Sequence, residues 1–142
     1  LAESDVSASV VKADIDLTAQ EKEIQAGESA NFNLKLSVSG VNQTMNEQRL
    51  VIDLPQNFKL SEKLDLTIDG VTPTLSAAGT QLIYSFTAPI NGLSVAKKFV
   101  FSTANQAITN GTQITMGATY FDGDTQLVQV EKQSVTVKSA AQ

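Results

Sequence analysis

Apolar side chains fall at every second position along most of this chain, the spacing that buries one face of a β-strand and leaves the other in water. Val11, Ala13, Ile15 and Leu17 alternate with Val10, Lys12, Asp14 and Asp16. Phe32, Leu34, Leu36 and Val38 alternate with Asn31, Asn33, Lys35 and Ser37. The rhythm returns at Leu50, Ile52 and Leu54, then at Leu64, Leu66 and Ile68. It continues at Leu82, Tyr84 and Phe86, at Phe99 and Phe101, and at Ile114, Met116, Ala118 and Tyr120. Val128 and Val130 are out of phase with Val135 and Val137, so a bulge or a sheet-to-sheet bend is expected over Glu131 to Ser134. No window carries a capped helical stripe.

Proline or glycine closes several of these runs, as residues that stop a ladder do. Gly27, Gly79 and Gly111 each stand three residues before the first buried position of a run, as turn residues of positive φ. Their intervals are unequal, which excludes a solenoid repeat. Roughly nine strands joined by short turns predict an all-β fold, an Ig-like antiparallel β-sandwich. The length of 142 residues suits one domain over 1–142 with a core of its own, with 1–8 and 138–142 expected to fray.

Composition removes several functions. The chain has no cysteine and no histidine, hence no disulfide, no thiolate chemistry and no ordinary proton shuttle. Its net charge is -5, and its basic residues are scattered apart from Lys97-Lys98, so a nucleic-acid partner is not expected. No apolar run is long enough to span a bilayer, so membrane insertion is not expected, and no secretion leader opens the chain. An acidic strand protein rich in Thr, Ser, Asn and Gln fits an extracellular setting.

Ala26-Gly27-Glu28 leads into the run from Phe32 to Val38, and the run after it ends in Leu54-Pro55 with Phe58 beyond. In that order of features the chain resembles the Ig-like β-sandwich modules of Gram-positive cell-surface proteins, the binding modules of wall-anchored adhesins and the repeated stalk modules. The segment from Gly79 to Ser102 resembles the paired later strands of the same modules. The resemblance implies a non-catalytic module at the cell surface, acting in adhesion or as a spacer beside neighbouring domains of a longer chain. Many such modules carry an intramolecular isopeptide bond from an inward lysine. Here Lys12 and Lys35 fall on the outward side of their strands, and the closing strand has no asparagine or aspartate, so none is expected.

Asp122-Gly123-Asp124 stands between two alternating runs, where Asp-Gly is a strong hairpin signal. Asp122 and Asp124 are also the candidates for a metal site, with Asp69 or Glu131 as further donors. Two carboxylates supply few of the six to eight oxygens that calcium takes, so the hairpin reading is preferred and no metal or other cofactor is expected. Asp14 and Asp16 share a strand face but point to solvent, and no activated serine motif is present, so no catalytic residue is assigned and no enzyme is expected. Phe58, beyond Leu54-Pro55, and Phe121, on the face opposite Tyr120, are the candidates for contact with a ligand. Burial of Phe121 under a loop or second sheet is preferred. Asn42 and Asn110 fit the glycosylation sequon. A protein or glycan ligand fits this picture, and a cohesin-like or carbohydrate-binding module is the alternative to a spacer.

Overall fold

The structure, a computed structural model, describes residues 11–40, 47–61, 63–86 and 92–139. Among these residues there are ten strands and no helix. They are β1 (Lys12–Ala19), β2 (Glu23–Gln25), β3 (Ser29–Ser39), β4 (Gln48–Asp53), β5 (Thr74–Leu75), β6 (Gln81–Phe86), β7 (Leu93–Ser102), β8 (Thr112–Asp122), β9 (Thr125–Gln129) and β10 (Gln133–Lys138). One sheet has the order β1-β3-β7. The other has the order β2-β10-β8-β4-β6-β5, with β9 beside β8. The fold is an Ig-like β-sandwich, antiparallel except where the short β2 runs parallel to β10.

The period-two alternation sets the register. Ile15 lies opposite Leu36 and Leu17 opposite Leu34, while Phe32 lies opposite Phe99. In the larger sheet Leu50 is flanked by Tyr84 and Tyr120, and Ile52 by Leu82 and Ala118. The apolar faces of the two sheets meet in one buried cluster. A slip of one residue in any of these strands would turn its apolar set outward, so the core itself fixes the pairing. Phe32 and Phe101 meet edge to face at 5.8 Å between centroids, a favoured aromatic geometry.

The expected phase slip is a bulge. The Val130 amide pairs with the Ala118 carbonyl, and Gln133 lies opposite Met116. Three steps along the closing chain therefore face two along β8, one residue too many. That extra residue switches the inward set from Val128 and Val130 to Val135 and Val137 without leaving the sheet. Gly27, Gly79 and Gly111 have φ of 101°, 74° and 91°, as their turns require.

The expected strand at Leu64, Leu66 and Ile68 does not form. Asp65 accepts hydrogen bonds from the amide and hydroxyl of Thr67, which turns the backbone out of an extended path. The Leu66 carbonyl accepts the hydroxyl of Tyr84 at 2.6 Å. Ile68 and Val71 then pair with each other around Asp69 and Gly70, both at positive φ, as in a type I′ turn. The Thr67, Ile68 and Val71 amides are thus taken within the segment, and Ile68 reaches the core from a loop. The same loop touches the smaller sheet, where Leu60 bridges to Phe101 on β7.

Candidate functional site

Pro55 ends β4 and starts a loop whose Asn57 sits in the left-handed region at φ 69°. Across from it, the loop before β8 turns at Asn105, φ 62°. Non-glycine residues held in this region are uncommon, and asparagine is among the few that tolerate it. The Gln106 side chain donates to the Asn57 carbonyl at 3.3 Å and ties the two loops together. Between them and the outward face of β8 lies a polar cleft of about 570 Å³, lined by Asp53, Gln56, Asn57, Phe58, Gln106, Ile108, Thr109, Gln113, Thr115, Gly117 and Lys132 among others.

Its floor is built from the sheet. Asp53 on β4 lies opposite Gly117 on β8. A Cβ at Gly117 would sit 3.2 Å from Asp53 Oδ2 and 3.2 Å from Lys132 Cγ, so the glycine makes room for both side chains. Lys132 reaches this face because it lies in the bulge between β9 and β10. Gln81 on β6 donates to Asp53 Oδ1 at 2.9 Å and holds the carboxylate in place.

On the other side of the Leu54–Phe58 loop lies an apolar groove of similar size, lined by Leu60, Leu64, Leu66, Pro73, Leu75 and Leu82 among others. Phe58 lines both cavities and is half-buried against the core. Leu75 on the edge strand β5 is 60% exposed.

The Asp122-Gly123-Asp124 tip is a hairpin, with Gly123 and Asp124 between the paired Asp122 and Thr125. Gly123 has φ 59° and Asp124 has negative φ, the pattern of a type II′ turn. The turn is therefore centred one residue later than an Asp-Gly turn. The two carboxylates do different things. Asp122 accepts Gln48 Nε2 at 2.6 Å, and Gln48 Oε1 accepts the Tyr120 hydroxyl at 3.0 Å, while Asp124 is exposed. Burial, with the Asp122 charge second, pushes the Tyr120 hydroxyl well above the usual phenolic range. Among the described residues no three acidic side chains gather as metal donors. Asp69 lies in the turn before Val71.

Phe121 is half-buried, and among the described residues its cross-strand neighbour Arg49 lies over the ring. The Arg49 guanidinium lies 4.6 Å from the ring centroid, and Arg49 also donates to the Gly123 carbonyl. Of the two ligand candidates, Phe58 is the one that lines the polar cleft and the apolar groove. Asp14 and Asp16 are exposed on the outward face of the edge strand β1, where charge discourages pairing with another sheet. Asn42 is outside the described residues, and Asn110 Oδ1 accepts the Ser139 amide at 2.9 Å.

Asp53, Gln56, Gln106, Gln113, Gly117 and Lys132 match no motif and went unread in the sequence. They come from four separate segments, joined by the β4–β8 register, the Gln106–Asn57 bond and the bulge that carries Lys132. The available signal was compositional, the amide-rich stretches Gln56-Asn57 and Asn105-Gln106 in two loops.

No protein-family model matches the chain, and no curated protein matches it in sequence. Solved structures share its architecture. The major pilin subunit of Bacillus cereus superposes over 98% of this chain at 10% identity with a TM-score of 0.54. The chain spans 43% of that subunit's length. A cohesin module from a Clostridium perfringens family 33 glycoside hydrolase is similar over 93% of this chain and 99% of its own, at 16% identity and a TM-score of 0.49. The self-complemented major subunit of Myf fimbriae from Yersinia enterocolitica is similar over 88% of this chain and 98% of its own, at 14% identity and a TM-score of 0.47.

Proposed function

We propose that the chain is a non-catalytic extracellular module of a bacterial surface protein, acting in adhesion or as a spacer among neighbouring domains. The observation that carries this reading is the superposition of nearly the whole chain onto part of a pilin subunit. The acidic, cysteine-free composition and the charged outer face of β1 agree with a module displayed singly in water rather than paired by its edges.

Intact cells of the source organism test it. An antibody against this domain is expected to label unpermeabilised cells, and mild protease is expected to release the domain into the medium. Label that reaches the domain only after lysis would overturn the surface assignment.

A second reading, a recognition module, is favoured by the polar cleft, whose side chains are more than a spacer requires. A carboxylate locked by Gln81, two loops bound to each other and a glycine floor form a pre-shaped cavity of ligand size.

A further inference from the structure

Among the described residues, Asp53 and Lys132 are the only charged ones lining the polar cleft, and their charges cancel in a chain of net charge -5. A binding site for an anion or a cation would show a surplus of the opposite sign. The rest of the polar lining is amide and hydroxyl. A carboxamide offers both donors and an acceptor in one plane, and a threonine hydroxyl does both at one atom. Such groups match a partner that also donates and accepts at each of its polar atoms.

Two of these amides are uncommitted. The side-chain amides of Gln56 and Gln113 make no hydrogen bond to another described residue, and both are exposed at the cavity. Asp53, in contrast, is fixed through Oδ1, so Oδ2 is an oriented acceptor above Gly117. Phe58 provides a half-buried ring at the rim, an apolar surface for the C–H face of a ring.

The floor also argues against an extended peptide as the ligand. Strand addition needs an unpaired sheet edge. Here the floor is the face of β4 and β8, and each of these strands is paired on both sides. The cleft therefore offers side chains and no backbone ladder.

We infer that the cleft between the Asn57 and Asn105 loops binds a neutral carbohydrate chain. Its ligand is a run of uncharged, hydroxyl-rich sugar rings, held by amides and hydroxyls with one ring against Phe58. This inference deepens the recognition reading and rests on it, not on the cellular location.

The test is amide NMR of the whole chain titrated separately with cellotetraose, maltotetraose and chitotetraose, with tetragalacturonate as a charged control. At least one neutral tetrasaccharide is expected to give saturable shifts confined to residues 53–58, 105–117 and Lys132, with a dissociation constant between about 10 μM and 1 mM. Tetragalacturonate is expected to bind at least about tenfold more weakly, since each carboxylate must be desolvated without a surplus cation. The double substitution Gln56→Ala and Gln113→Ala removes exposed, uncommitted side chains and leaves the fold intact by its amide spectrum. It is expected to weaken binding about tenfold or more. No shift with any of the three neutral probes, shifts centred on Leu64 and Leu75, or tighter binding of tetragalacturonate would each overturn the inference. Surface labelling of intact cells without sugar binding would remove this inference alone. Sugar binding by a chain confined to the cell interior would remove the surface assignment alone.

Discussion

Tyr84 and Tyr120 are the only tyrosines in the chain, and both are fully buried. Each solves the same problem, an apolar ring in the core whose hydroxyl still needs an acceptor. Tyr84 finds the Leu66 carbonyl and Tyr120 finds Gln48. Burial pushes both hydroxyls well above the usual phenolic range, with the nearby Asp65 and Asp122 charges adding to it. A phenol whose pKa rises on folding stabilises the folded state while it stays neutral. That contribution is complete below the unfolded value of about 10 and is lost as pH climbs towards the folded value. Tyrosinate absorbance is therefore expected to lag behind that of free tyrosine and to rise together with unfolding at high pH. A normal titration of either ring in the folded chain would contradict the burial. Tyr84→Phe leaves the Leu66 carbonyl without its partner and is expected to cost about 1–3 kcal/mol, read from the midpoint of denaturant unfolding.

Between β4 and β5 the described residues from Leu54 to Pro73 form no strand, although Leu64, Leu66 and Ile68 alternate as cleanly as several segments that do form strands. Alternation reports which side chains go inward; it cannot report whether a neighbouring strand is there to take the backbone. For Phe32 to Val38 the neighbours exist on both sides, and the reading from sequence matches. For Leu64 to Ile68 the Asp65–Thr67 turn and the Asp69-Gly70 turn consume the backbone first. These competing bonds were legible in principle, since Asp, Thr and Gly are turn residues, but no local rule weighs them against a ladder not yet known to exist. Asp65 ties this element to pH. Its bonds from Thr67, with Lys97 a lesser influence, hold its carboxyl below the ordinary value of 3.8. The turn is thus supported above that value and loses support as pH falls through the lower, folded pKa. The protection factors of the Thr67 and Ile68 amides, taken against the intrinsic exchange rate at each pH, are expected to fall on acidification before the sandwich unfolds, and Asp65→Ala is expected to produce the same local opening at neutral pH. Equal protection of these amides in wild type and variant would show that Asp65 does not hold the loop.

Across the whole molecule, the cavities lie where loops from different strands converge, which explains why the core was readable and the site was not. The core is repeated information, an apolar residue at every second position, whereas the polar cleft needs Asp53, Gln106, Gly117 and Lys132 brought together by the register of β4 on β8 and by one bulge. Phe58 was legible because it follows a strand-ending proline. The distribution of lysine bears on a covalent question that the resemblance to surface modules raised. An intramolecular isopeptide needs an uncharged amine beside a carboxyl or carboxamide in a dry interior, since an ammonium in water is protonated and does not attack. None of the nine lysines is buried, and Lys12 and Lys35 point outward from β1 and β3. The core opposite them is filled by Ile15, Leu17, Leu34 and Leu36 with no amide among them. Stability is then expected to come from apolar packing and hydrogen bonding without a covalent tie across the sheets. The purified chain is expected to have the intact mass of its sequence, with no loss of one ammonia or one water, and to unfold with a midpoint insensitive to reductant. A mass deficit of either molecule would require a lysine to have entered the core and reacted there, and would put one of these strands in a different register.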